Sequence, residues 1–66
     1  MISDKIRELR EMSGLSMEVV SGLINVSTSS YHNYESRGIV PNANVVISLC
    51  RVFGVSPNEL LEWDND

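Results

Sequence analysis

The chain has 66 residues, a hydrophobic fraction of 42% and a single cysteine, so it is sized for one small domain and excludes an intrachain disulfide. Its net charge is −4, but residues 1–58 carry five acidic and five basic side chains, so the excess acidity belongs to the C-terminal end. One cysteine and one histidine are too few for a structural zinc site, and no stretch suits a bilayer, so we expect a cytoplasmic single domain over residues 1–66.

Two helices are predicted before residue 25. Ser3 is a good N-cap for the first, and Gly14 supplies the left-handed position that ends it. One stripe of this helix is apolar: Ile6, Leu9 and Met12. Ser16 caps the second helix, and Asn25, which tolerates positive φ, stands where it must stop. Apolar residues recur in it at helical spacing: Val19, Val20, Leu23 and Ile24.

The third predicted helix is short and polar. Either Ser27 or Thr28 caps it, and it covers residues 29–36. Tyr31 and Tyr34 are three residues apart, so they share one face.

Two more helices are predicted in the C-terminal half. Asn42 caps the fourth and Gly54 ends it; residues 45–47 alone are also compatible with a strand. The fourth helix has an apolar stripe: Ala43, Val46, Ile47, Cys50 and Phe53. Ser56 opens a fifth helix over Pro57–Trp63, with proline at the first helical position. The sequence therefore predicts an all-α protein, and residues 62–66 form a short acidic tail.

The second and third helices, with the turn between them, fit a helix-turn-helix unit over about residues 16–36. Ser21 is small enough for two helices to cross there, Asn25 suits the turn, and Val26 can fill the elbow with an apolar side chain. The tyrosines would form the buried face of the third helix. Four polar side chains would face outward: Thr28, Ser29, His32 and Asn33.

Three short motifs occur along the chain in the same order and with the same spacing as in a known family. They are L-S-x-E-x-V-S-x-x-I-N-V-S over residues 15–27, Tyr34-Glu35 followed by Pro41, and F-G-V-S-x-x-E-L-L over residues 53–61. Together they resemble the Cro/C1-type (XRE) family of phage and bacterial repressors across residues 5–62. The resemblance implies a compact five-helix bundle of the lambda-repressor type, whose third helix enters the DNA major groove.

The resemblance also implies roles for individual residues. The base-reading positions of the family fall on Thr28, Ser29, His32 and Asn33. Its phosphate-contacting cap falls on Ser27, and its internal ion pair falls on Arg10 and Glu35. Arg37, the single cation between residues 11 and 50, is a further candidate for a phosphate contact. The first residue of the second helix is usually glutamine in the family, and here it is Met17.

The function that follows is a sequence-specific DNA-binding transcriptional regulator, a repressor that reads a palindromic operator as a homodimer. One module of this size reads too few base pairs for specificity in a genome, whereas two modules double the contacts. The predicted dimer interface is apolar and C-terminal: Pro57, Leu60, Leu61 and Trp63. No catalytic set, metal site or cofactor motif is present in the sequence, so an enzyme is not expected.

A second function remains open. The predicted recognition helix, residues 27–36, contains no cation, which is unusual for a DNA-binding surface. Apolar residues also occupy positions that are usually polar in the family: Met17, Val19, Leu23, Ile39 and Val40. Both features favour a protein-interaction module on the same fold, such as an antirepressor or an antitoxin-like partner.

Overall fold

The computed structural model of the chain describes residues 2–62, and five helices form within that range. They are α1 (Ile2–Met12), α2 (Met17–Leu23), α3 (Thr28–Ser36), α4 (Ala43–Phe53) and α5 (Pro57–Leu60). No strand occurs in the part of the chain that is described, and residues 45–47 lie inside α4. The prediction of an all-α, five-helix fold is confirmed. None of these helices is long and apolar enough to cross a bilayer.

Short polar side chains close the N-termini of four helices. Each accepts a hydrogen bond from the backbone N–H three residues later, at 2.9–3.1 Å: Ser16, Ser27, Asn42 and Ser56. The cap of α3 is thus Ser27 rather than Thr28. Ser3 is different, because α1 begins at Ile2 and Ser3 is buried in its first turn. The prediction that Ser3 caps α1 is wrong.

Left-handed residues end three of the helical segments where the sequence predicts them. Gly14 has φ +69° after α1, and Gly54 has φ +68° after α4. Asn25 has φ 61° in the turn between α2 and α3. A side chain with a Cβ is strained in this region of backbone conformation, which explains glycine at two of the positions and asparagine at the third.

All five helices contribute to one core. α3 packs on α1 and α2, while α5 packs on α4 and α1. Within residues 2–62 the core cluster consists of ten buried side chains: Ile6, Leu9, Val20, Ile24, Tyr31, Val45, Val46, Leu49, Cys50 and Leu60. Cys50 is a free thiol, and its burial raises the pKa of that thiol. Tyr31 is fully enclosed and is one of the largest buried side chains.

The buried face of α4 differs from the predicted stripe. Val46 and Cys50 are buried as expected, but Val45 and Leu49 complete the face, and Ile47 is 46% exposed. Ala43 is exposed as well. The helix is apolar on more than one side, so periodicity alone does not select the side that meets the core. In α1, Ile6 and Leu9 of the predicted stripe are buried, but Met12 in the last turn of the helix is 76% exposed.

The fifth helix is shorter than predicted. It ends at Leu60 instead of Trp63, with Leu61 as its C-cap and Glu62 at φ 54°. Trp63 and the rest of the acidic tail lie outside the described residues. Leu60 is 0% exposed, because its side chain fills the core of its own chain. Its assignment to a dimer interface is therefore wrong, since a core side chain cannot also meet a second copy.

The burial of Tyr31 leads to a prediction about alkaline stability. Loss of solvation raises the pKa of the Tyr31 phenol, and the neighbouring Glu35 carboxylate raises it further. The folded chain therefore keeps this proton at a pH where the unfolded chain loses it. This contribution to stability is intact below about pH 10, and above that it falls by about 1.4 kcal/mol for each pH unit.

Tyr31→Phe should consequently move the alkaline unfolding midpoint to higher pH, as followed by far-UV circular dichroism. Tyr34→Phe is the matched control, because Tyr34 is only half-buried. Equal midpoints in wild type and Tyr31→Phe would contradict this account.

Candidate nucleic-acid interface

The turn between α2 and α3 is closed by Ser21, Val26 and Thr28. Ser21 is buried, and its backbone carbonyl accepts a hydrogen bond from the Val26 N–H at 3.0 Å. The Ser21 hydroxyl donates to the Glu18 carbonyl at 2.9 Å and lies 3.3 Å from the Thr28 hydroxyl. Val26 packs against the core. These contacts hold the first residue of α3 against α2, as a helix-turn-helix requires.

An ion pair fixes the other end of α3. Arg10 Nε donates to Glu35 Oε2 at 2.7 Å, and Arg10 Nη2 donates to Glu35 Oε1 at 3.1 Å. A third bond, from Arg10 Nη1 to the Leu15 carbonyl at 2.9 Å, ties in the loop before α2. The side chains are only 13% and 1% exposed, respectively. The pair that the resemblance implies is thus present, and it joins α1, the α1–α2 loop and α3.

The contacts at its two ends orient α3 so that one face meets the core and the other faces solvent. Tyr31 and Glu35 are buried, and the ring of Tyr34 stands edge-on to that of Tyr31 with centroids 6.3 Å apart. On the opposite side, Thr28, Ser29 and His32 are exposed, and Asn33 is half-buried. Residues 28, 29, 32 and 33 fall on one face because helical residues four apart lie above one another.

The outer face of α3 borders a depression of about 460 Å³. Six residues line it: Met17, Thr28, Ser29, His32, Asn33 and Arg37. Five of them are sequence-predicted site residues. Ser27, the sixth predicted residue, does not line it. Its hydroxyl caps α3 and donates to the Ser30 hydroxyl at 3.0 Å.

Neutral hydrogen-bonding groups dominate the depression. His32 Nε2 lies 3.2 Å from the Ser36 hydroxyl, which leaves Nδ1 of the exposed ring facing away from that bond. The Asn33 amide has no hydrogen-bond partner among residues 2–62, so both its N–H₂ and its carbonyl oxygen are available. An amide of this kind can pair with adenine through two hydrogen bonds in the major groove.

Positive charge is scarce at this surface. Lys5 lies 4.0 Å from Glu8, Arg7 lies 3.1 Å from Asp4, and Arg10 is held by Glu35. Arg37 lines the depression and forms no ion pair within the described range. It is the only cation in the lining, so hydroxyl, amide and backbone N–H groups must supply most contacts to a polyanion here.

Met17 is the lining residue that is not among the predicted DNA-binding residues. It begins α2, is half-buried and packs partly against the core. The sequence contains a signal that this position is unusual, because an apolar residue occupies it where the family that the chain resembles usually has glutamine.

The predicted dimer residues do not all reach the surface. Pro57 is exposed and Leu61 is 40% exposed, whereas Leu60 is enclosed. Trp63 lies beyond the described residues. Within residues 2–62 there is no cluster of three histidine, cysteine or acidic side chains that could hold a metal ion.

The chain is similar to known helix-turn-helix proteins. A family model described as "Helix-turn-helix domain" matches residues 2–63. A Bacillus subtilis (strain 168) protein, "Uncharacterized HTH-type transcriptional regulator YobD", is 30% identical over all 66 residues. The chain spans 59% of the length of that relative. The crystal structure of the restriction-modification controller protein C.AhdI from Aeromonas hydrophila is similar, with a TM-score of 0.81, 25% identity and 89% of each chain covered.

Proposed function

Because this chain belongs to the Cro/C1-type family of helix-turn-helix transcriptional regulators, we propose that it is a cytoplasmic repressor that binds a palindromic operator as a homodimer. In this proposal α3 lies in the major groove and Thr28, Ser29, His32 and Asn33 face the base edges. Ser27 and Arg37 contact the flanking phosphates. Occupation of the operator by the dimer would block transcription, and no cofactor takes part.

The observation that carries the proposal is the depression along α3. Four helix residues that can donate or accept hydrogen bonds lie on one face, and Arg37 stands beside them. The opposite face of α3 is anchored by Tyr31 and by the ion pair of Glu35. A rigidly held helix with a polar outer face is the arrangement that direct readout of bases requires.

The size of the module supports the proposed homodimer. A single recognition helix contacts only a few base pairs, whereas a two-fold dimer reads two half-sites about 34 Å apart. The exposed Pro57 and Leu61 and the sequence-predicted Trp63 are the surface that we assign to the contact between the two copies.

The salt dependence of DNA binding should be modest for a dimeric repressor, because few cations are available to contact phosphates. Two Arg37 contacts in a dimer correspond to a slope of log K against log salt of about −2, and Lys5 and Arg7 would extend it to no more than about −6. Asn33→Ala or His32→Ala should relax the base preference at one position in each half-site, at a cost of about 1–3 kcal/mol. Arg37→Ala should weaken binding to all sequences about equally.

The measurement is selection of preferred duplexes from a random pool, followed by fluorescence-anisotropy titration at several salt concentrations. Arg51→Ala is the control for Arg37, because Arg51 is an exposed arginine outside the depression. If neither Asn33→Ala nor His32→Ala alters the selected sequence, the assignment of α3 as the reading helix is wrong.

One observation favours a second function, that of a protein-interaction module. Several large apolar side chains outside the depression are at least 40% exposed: Met12, Val19, Leu23, Ile39, Val40, Ile47 and Leu61. Where exposed apolar side chains lie next to one another, they form the kind of surface that binds another protein. Under this alternative, the wild-type protein would enrich no duplex sequence even at low salt.

A further inference from the structure

We propose that Met17 is a specificity-determining residue, which contacts the C5-methyl group of a pyrimidine in the major groove. This inference rests on the proposed function, because it concerns the same depression beside α3. It adds an apolar contact to a surface that otherwise recognises DNA through hydrogen bonds.

Met17 lies where the start of α2 borders the depression. It is the first residue of α2, directly after the Ser16 cap, and it lines the depression with Thr28 and Ser29 at the start of α3. The bond between the Ser21 and Thr28 hydroxyls holds these two helices together. Part of the Met17 side chain packs against the core, so its position relative to α3 is constrained.

Met17 differs in chemistry from the other residues that line the depression. Met17 is the one apolar side chain among the six residues that line the depression. When DNA enters, water leaves this surface, and an apolar side chain then gains most from an apolar neighbour. The edges of the bases in the major groove present nitrogen and oxygen atoms, except where a pyrimidine carries a methyl group at C5. That methyl group is the part of the groove that complements Met17.

The first experiment alters the DNA and leaves the protein unchanged. Starting from the duplex that wild-type protein selects, each thymine is replaced in turn by deoxyuracil, which removes only the C5-methyl group. We expect one position in each half-site at which this change weakens wild-type binding about fourfold, the value for burial of one methyl group. No sensitive position, or a selected site without thymine, would overturn the inference.

The second experiment assigns the contact to Met17. In Met17→Gln the ratio of affinities for thymine and uracil at that position should fall to about one, whereas Met17→Leu, which stays apolar, should retain it. Met12→Gln is the matched control, because Met12 is exposed at the end of α1, outside the depression. It should keep both the affinity and the ratio.

Thr28→Ser tests the nearest competitor, because Thr28 also carries a methyl group next to the depression. A ratio that survives in Met17→Gln but is lost in Thr28→Ser would overturn the assignment. Thermal unfolding of each variant shows that its fold is intact, and the uracil experiment with wild-type protein stands if a Met17 variant does not fold.

A last comparison identifies the source of the methyl group. At the sensitive position, the thymine·adenine pair is replaced by a cytosine·guanine pair in one duplex and by a 5-methylcytosine·guanine pair in another. The affinities of wild-type protein for the two duplexes are then compared. Tighter binding of 5-methylcytosine, again by about fourfold, supports a contact that reads either methylated pyrimidine. Equal binding supports a contact to thymine alone. Failure of the proposed function itself is distinct, because the wild-type protein would then select no duplex at all.

Discussion

Replacement of either Arg10 or Glu35 by alanine is expected to lower the free energy of unfolding by about 3–5 kcal/mol, because each change leaves the other charge buried without its partner. The Glu35 side chain is only 1% exposed, and its two carboxylate oxygens both accept hydrogen bonds from Arg10. Arg10→Ala also removes the donor to the Leu15 carbonyl. A domain of this size has a total stability of roughly 3–10 kcal/mol, so either variant should be largely destabilised.

The double variant should lose less than the sum of the two single losses, because no unpaired charge remains. Urea unfolding, followed by far-UV circular dichroism, measures the three values. Lys5→Ala with Glu8→Ala is the control pair, since those side chains are 4.0 Å apart and more exposed; its effects should be small. Strictly additive losses for Arg10 and Glu35 would show that the two side chains do not interact.

Replacement of Leu60 by alanine should lower the free energy of unfolding by about 2–5 kcal/mol, through loss of apolar contacts and the cavity that remains. Leu60 is 0% exposed, although α5 has only four residues. It is the buried residue of α5, so its side chain holds this helix against the core. Leu61→Ala is the matched control, because the neighbouring leucine is 40% exposed and its truncation should cost much less. Urea unfolding at one low protein concentration compares the two variants.

The same pair of residues separates stability from assembly. Leu61→Asp places a charge on the surface that we assign to the dimer, so it should convert the dimer to a monomer and leave the fold intact. Sedimentation velocity measures the change. An unchanged oligomer in Leu61→Asp, or a wild-type monomer at high concentration, would exclude this surface as the dimer contact.

Helix ends could be predicted from the sequence where their chemistry is local. Ser16, Asn42 and Ser56 each cap a helix through a backbone N–H three residues away, and Asn25 adopts the left-handed conformation that its type tolerates. Such features depend on a few neighbouring residues, so the order of residue types is sufficient to indicate them. Ser3 does not cap α1, because the helix already includes Ile2 and Ser3 is buried in its first turn.

The choice of buried face could not be predicted in the same way. In α4, Ile47 and Leu49 are both suited to a core, and it is the packing of the helices that buries Leu49 and leaves Ile47 exposed. The sequence is ambiguous at Leu60 for the same reason, since an apolar residue in a short helix can face either its own core or a partner. The depression was largely predictable, because residues 28, 29, 32 and 33 share a helical face. Met17 joins them only through tertiary packing.

The uncharged cap of α3 affects both the stability of that helix and its proposed binding to DNA. Asp4, Glu18 and Glu59 lie in the first turns of α1, α2 and α5, where a carboxylate stabilises a helix by about 0.3–1 kcal/mol. The first turns of α3 and α4 carry no acidic residue, and the cap of α3 is the uncharged Ser27. An aspartate there would cap the helix equally well and add a favourable charge, but it would also repel the phosphates of the proposed complex. Stability and DNA affinity therefore make opposite demands on position 27, and serine satisfies the hydrogen bond without adding the charge.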